Sequence, residues 1–192
     1  MSTTEAPERR DDSDGGAWIA TVSPDEATGT LAGAYETQRQ KLGHVTELTQ
    51  VGSLYPDLVA TRLRLYEVVD AAPSAVPSWA RRAVALLTSV LNHCRFCTVG
   101  HTEKLGAEGH GDLADAIKAD PATASSGVAE VDALLVYTRV LVQTPGAVTE
   151  DHIEALRTAG WDDLAILDVN NIAAYYCYIN RVATGLGLTR EA

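Results

Sequence analysis

Cys94, Cys97 and His101 lie close together in the segment His93-Cys94-Arg95-Phe96-Cys97-Thr98-Val99-Gly100-His101. On a helix their spacing of i, i+3 and i+7 brings all three onto one stripe, where imidazole and thiol can meet. His101, one turn beyond Cys97, could accept a thiol proton or stabilise a thiolate as an imidazolium. A helix start near Cys94 adds the positive end of a dipole, which favours an anion and lowers a thiol pKa. Two thiols within one turn can bridge after modest side-chain rotation. A sulfenic acid on one is then resolved by the other before it over-oxidises, which is a redox cycle in miniature.

Other readings of the same residues stand beside this one. Cytosolic cysteine pairs of this spacing often bind zinc, but a structural site needs four ligands, so Cys177 or His110 would have to complete it. The pair could also be buried packing cysteines, because thiols are among the most buried side chains. His93, at a helix junction, reads as a capping or packing residue before it reads as a catalyst. Cys177 lies in Tyr175-Tyr176-Cys177-Tyr178 and reads as structural. His44, His110 and His152 adjoin loops and caps and read as solvated.

The elements that must position the cysteines are helical from Ser23 onward, and no stretch alternates like a half-buried strand. Ser23-Pro24-Asp25-Glu26 fits a capping box that starts a helix, with Leu31, Tyr35, Gln38 and Leu42 on one face and Gly43 as its left-handed stop. A short helix over Thr46 to Leu54 follows. Pro56 opens a stronger one, with Leu58, Leu65, Tyr66 and Val69 as its buried stripe. Ser78 is placed to cap a helix that is apolar on most sides from Ala83 to Leu91, the central packing material of the chain. That helix is expected to stop at Asn92-His93, with Asn92 in the left-handed conformation, and another to begin near Cys94. Gly106 and Gly109 end the cysteine helix, and a minor helix near Leu113 to Lys118 follows. Later helices carry Val131, Leu134, Leu135, Thr138 and Leu141, then Ile153 and Leu156 behind Thr149. A long final helix, capped by Asp162, runs toward Gly185. The sum is one all-α domain of seven to nine helices over 17–192, behind a disordered polar tail over 1–16.

Composition narrows the function. The chain has 192 residues and a net charge of −11, from 15 Lys and Arg against 26 Asp and Glu. A chain this size builds a core without disulfides or metals. Its charge argues against nucleic-acid backbones and anionic membranes as partners. Three cysteines are too few, and odd in number, for a secreted disulfide scaffold. No signal-peptide pattern and no apolar run of about 20 residues is present, so a reducing cytoplasm is the expected setting.

The segment Ser89-Val90-Leu91-Asn92-His93-Cys94-Arg95-Phe96-Cys97 followed by His101 resembles the alkylhydroperoxidase D-like (AhpD-like) family of the carboxymuconolactone decarboxylase superfamily, in its peroxidase-related branch. The match is to a Cys-x-x-Cys-x-x-x-His signature after a Ser-x-x-Asn lead. Ala27-Thr28-Gly29 with Ala34-Tyr35, and Thr149 to Gly160 with Asn180-Arg181 and Leu186-Gly187, agree as well. The similarity spans Trp18 to Leu188. It implies an all-helical fold that assembles into homo-oligomers, and thiol peroxidase activity toward hydrogen peroxide or organic hydroperoxides. By that resemblance Cys97 attacks the peroxide, Cys94 resolves the sulfenate as a disulfide, and His101 belongs to the proton relay. An external dithiol, lipoyl-linked in the best-known members, would restore the thiols, and no bound cofactor is expected.

Relatives place a glutamate twelve residues before the first motif cysteine, where this chain has Arg82. A guanidinium cannot accept a proton near neutrality, although its charge can stabilise a thiolate. Either another carboxylate takes that place, with Glu67 or Glu36 as candidates, or the thiols react without efficient turnover. Arg82 can equally be a surface residue or an ion-pair partner. The rival functions are lactone decarboxylation or isomerisation, the superfamily's founding activity, and a non-catalytic redox-sensing or zinc-stabilised oligomeric module.

Overall fold

The regular structure of residues 16–189, the span that the computed structural model describes, is helical throughout, as the spacing predicts, and no strand occurs among them. Nine α-helices result: α1 (Gly29–Leu42), α2 (Glu47–Gln50), α3 (Pro56–Val69), α4 (Ser78–Leu91), α5 (Arg95–Ala107), α6 (Gly111–Ala119), α7 (Ala129–Gln143), α8 (Glu150–Thr158) and α9 (Asp163–Gly185). None is long and apolar enough to cross a membrane. The tail expected over 1–16 lies, apart from Gly16, outside the described residues.

These residues form two compact units, one of 16–68 with 185–189 and one of 69–184. In the first, Leu31, Ala34 and Tyr35 of α1 pack on Val59 of α3, and the Tyr35 hydroxyl donates to the Val22 carbonyl (2.9 Å). Several details differ from the sequence reading. Glu26 Oε2 accepts from the Ser23 N–H (3.2 Å) and from the Ser23 hydroxyl (2.6 Å), but the Glu26 N–H goes to the Ser23 carbonyl, so the two residues close a turn and not a full capping box, and α1 starts only at Gly29. On α3 the buried positions are Val59 and Arg62, whereas Leu58 and Leu65 are each 42% exposed. Arg62 can be buried because its guanidinium donates to the Leu48 carbonyl (2.5 Å), so hydrogen bonding satisfies the charge that hydropathy alone would place outside.

In the second unit α4 is the hub and packs on α5, α6 and α7. Its run from Ala83 through Ser89 is buried, with Leu86 and Leu87 fully so. Each such leucine contributes about 1.5–3 kcal/mol relative to leaving it in water. Pro77 occupies the cap position and Ser78 is the first helical residue, its hydroxyl turned to Glu108 Oε1 (3.0 Å), so Ser78 does not cap α4 as the sequence suggested. α9 joins the same core through Val169, Ile172, Ala173 and Ile179, and Tyr137 of α7 donates to its Asn170 (2.7 Å).

The first unit closes where Trp18 N–H donates to the Leu186 carbonyl (2.9 Å) and the indole lies over Gly187. Gly187 has φ +83°, and a Cβ there would sit 2.4 Å from the Trp18 ring. Gly187→Ala is therefore expected to destabilise the protein by about 1–3 kcal/mol in urea unfolding. Gly185→Ala, with open space around the added carbon, should match or exceed wild-type stability.

Candidate active site

The reactive segment is placed by the way α4 ends. His93 takes the left-handed conformation (φ 55°), and its N–H donates to Val90 O while Cys94 N–H donates to Ser89 O, each at 3.0 Å. These are the two bonds of a Schellman stop, built here without glycine. The left-handed residue is thus His93 and not Asn92, which sits at φ −85° with its side chain committed elsewhere. Asn92 Nδ2 donates to Asn180 Oδ1 (3.0 Å) and approaches Cys177 Sγ (3.5 Å) on α9. His93 is exposed and, with Arg95, Thr98, Glu103 and Lys118, lines an open groove of about 590 Å³.

The same stop makes Cys94 the N-cap of α5. Its backbone is extended, and its sulfur accepts the N–H of Cys97, the third helical residue, at 3.4 Å. A cap of this kind is normally an oxygen from Ser, Thr, Asp or Asn; here a sulfur does the work, at the positive end of the helix dipole. Side-chain hydrogen bonding by Cys97, and to a lesser extent by Thr184 and Asn180, favours its charged form. Burial opposes the charge, but the donors prevail, the Cys97 thiol foremost, and the Cys94 pKa falls to about 6. Both motif cysteines are thiols and not a disulfide, at 1% and 6% exposure.

His101 lies one turn beyond Cys97, 4% exposed, with its ring edge-on to Tyr176 of α9 at 4.4 Å between centroids. Its Nδ1 is buried without a hydrogen-bond partner. Burial drives its pKa down to about 3; Lys104 and Arg82 act in the same direction and Asp70 against them. At neutral pH the ring is therefore an uncharged imidazole. The imidazolium that the sequence allowed as a thiolate partner is not the resting form.

Arg82 faces a carboxylate that the sequence reading missed. Asp70, in the α3–α4 connection, is fully buried, with its Oδ2 2.7 Å from Arg82 Nη1; Glu108 Oε1 lies 3.7 Å from Arg82 Nε. Arg81 pins that connection by donating to the carbonyls of Asp70 and Ala72, both at 3.0 Å. Removing one member of a buried pair costs about 3–5 kcal/mol, so Arg82 is an ion-pair partner of the fold and not a surface residue. Glu67 belongs to the first unit, where Lys41 and Arg64 hold it, and Glu36 pairs with Arg39 on the surface. The signal for a partner was the arginine itself, since a guanidinium on a largely buried helix needs hydrogen-bond acceptors nearby, and here they come from the Asp70 carboxylate.

Among the described residues no three His, Cys, Asp or Glu side chains are grouped as metal ligands. The imidazole of His110, one proposed zinc ligand, stacks on Trp79 at 4.3 Å, and His152 accepts the Thr149 N–H at the start of α8, so neither is simply solvated.

No family model and no curated protein matches the chain. Solved structures do. A peroxidase-related protein with an alkylhydroperoxidase AhpD core from Ralstonia eutropha JMP134 superposes with a TM-score of 0.82 at 20% identity, over 91% of this chain and 92% of that one. The chain has the AhpD-like fold. A peroxidase-related protein from Silicibacter sp. TM1040 matches at TM-score 0.75 and 18% identity, over 100% and 96% of the two chains. The debrominase Bmp8 matches at 0.74 and 17%, over 90% and 91%, and a variant of it has been solved with 2,3,4-tribromopyrrole.

Because this AhpD-like fold disfavours the His101 imidazolium, the unfolded chain takes up the proton first as pH falls below about 6.5. Stability is lost from there down toward the folded value near 3. In urea unfolding, wild type should lose about 2 kcal/mol more than His101→Gln between about pH 7 and 5. Equal losses would show that His101 is not held neutral.

Proposed function

We infer that the protein is a thiol-dependent peroxidase that reduces hydrogen peroxide or organic hydroperoxides through Cys94 and Cys97. The observation that carries this reading is the bond from the Cys97 N–H to the Cys94 sulfur (3.4 Å) at the start of α5, which puts both cysteines in one helical turn. One sulfur is then anionic near neutrality and the other lies within the same turn. The AhpD-like fold supports the reading.

Cys97, the less buried of the two, attacks the distal peroxide oxygen, and its proton crosses to the Cys94 thiolate. An S–O bond forms, the O–O bond breaks, and the departing alkoxide takes a proton by way of Cys94 or the neutral His101. Cys97 is now a sulfenic acid and Cys94 again a thiolate. Attack of Cys94 on the Cys97 sulfur forms the disulfide and releases hydroxide, which becomes water. An external dithiol, such as a lipoyl-linked one, returns both sulfurs to thiols and is itself oxidised. Asp70 supplies the buried carboxylate of the site, with its charge shared with Arg82, and His101 carries the proton as a relay. The working protein is a homo-oligomer in a compartment that supplies dithiols.

A second reading follows from the likeness to a debrominase: the same two thiols could replace an aryl C–Br bond by C–H, yielding the disulfide and HBr. One assay separates them. With a dithiol reductant, wild type should turn over hydrogen peroxide while Cys97→Ser falls to the uncatalysed rate, and Cys94→Ser should stop after about one turnover. Wild-type turnover no faster than Cys97→Ser would overturn the peroxidase reading, and bromide release from a bromopyrrole would then favour the second.

A further inference from the structure

The first unit leaves an apolar stripe uncovered along α3 and the turn before it. Leu54, Leu58, Leu65 and Val68 are 52%, 42%, 42% and 52% exposed, and Thr61 between them is exposed as well. From Leu54 the steps are four, three, four and three residues, the alternation of a heptad seam, which keeps one line of side chains on one side of a helix. The residues that α3 buries within its own unit, Val59 and Arg62, lie off this line. Single exposed leucines are ordinary on a monomer, but an unbroken row of them marks an interaction surface.

We propose that this seam is a self-association surface, on which α3 of a second copy of the chain packs in the antiparallel direction about a twofold axis near Thr61. The proposal rests on the reading of the working protein as a homo-oligomer and names the surface that joins it. The seam reads nearly the same from either end, with Leu54 and Val68 outermost, Leu58 and Leu65 next and the small Thr61 in the middle. A twofold therefore sets apolar against apolar along its length. Its flank is self-complementary too. The residues just before Leu58 and Leu65 are Asp57 and Arg64, and in an antiparallel pair such positions face one another across the seam, so Asp57 of each copy meets Arg64 of the other. A parallel pair would set them against Val69, which is uncharged, and Arg62, which is buried and already bonded to the Leu48 carbonyl. Asp57 is exposed and has no ion-pair partner among the described residues. The Arg64 side chain is 74% exposed even while it holds Glu67 at 2.9 Å. Each copy carries a net charge of −11, so a seam flanked by acids alone would repel its twin, and a flank of both signs removes that obstacle. Residues 1–15 do not suit the seam, since Met1, Ala6 and Pro7 are their only apolar side chains. α9 also exposes Leu164 and Leu167, but the matching flank positions there, Asp163, Asn170 and Cys177, offer no cation to meet the acid.

The test is sedimentation velocity of the full chain over a range of concentrations, with thermal unfolding to show that each variant is folded. Wild type should sediment as a dimer or an even multiple of one. Leu65→Glu should halve that mass, or raise the dissociation constant by about a hundredfold. Asp57→Arg and Arg64→Asp should each raise that constant about tenfold, and the two together should return it to within about threefold of wild type. This charge swap carries the test alone if Leu65→Glu does not fold. Single variants that associate as tightly as wild type, or a double variant as weak as the singles, would overturn the proposal. A wild-type trimer would overturn it too, and a wild-type monomer would reject the homo-oligomer reading along with it. An oligomer that Leu65→Glu leaves intact would overturn the proposal alone, and its loss in Leu167→Glu would move the interface to α9.

Discussion

The hydrogen bond from the Cys97 N–H to the Cys94 sulfur is the constraint around which the rest of this molecule is arranged. It makes a sulfur do the work of a helix cap, and a cap at a helix N-terminus is favoured as an anion. For the sulfur to occupy that position, α4 must stop abruptly and the chain must turn in two residues. The Schellman bonds to Ser89 and Val90, and a left-handed His93, accomplish this. A non-glycine residue there costs on the order of 1 kcal/mol. The buried α4 hub holds the turn in place.

The electrostatics of the site follow from burial. An imidazole shut away from water beside Arg82 and Lys104 stays neutral, so charge balance in the pocket does not come from a thiolate–imidazolium pair. Hydrogen bonds from neutral groups stabilise the anion instead, and these retain their strength in a low-dielectric interior. Arg82, at the position where the family resemblance leads one to expect a glutamate, is matched by an acid from the α3–α4 connection, Asp70. Of the three charges acting on His101, Lys104 and Arg82 lower its pKa and Asp70 raises it, and desolvation outweighs each of them.

Much of this was legible in the residues themselves. The helical periodicity, the stop after Leu91, Gly43 as a left-handed cap and Pro56 as a helix opener all rest on local backbone chemistry, and each is found where the sequence placed it. What could not be read is what depends on partners distant in the chain. Leu58 and Leu65 carry the hydropathy of core residues, but the face of α3 that is buried was settled by Arg62 finding a carbonyl on α2. Asp70 and Asn180 looked like ordinary polar residues because their roles come from α4, a dozen and some ninety positions away in sequence. His93 carries a left-handed turn that composition would assign to the asparagine beside it, since that asparagine is occupied across the helix interface.

Cys94 and Cys97, and not Cys177, form the two-electron redox couple that we propose. Adding one equivalent of hydrogen peroxide to the reduced protein, blocking the remaining thiols and mapping the cysteines by mass spectrometry tests it most directly. The expected product is a Cys94–Cys97 disulfide with Cys177 still a blocked thiol. Peroxide left unconsumed, or oxidation confined to Cys177, would contradict it.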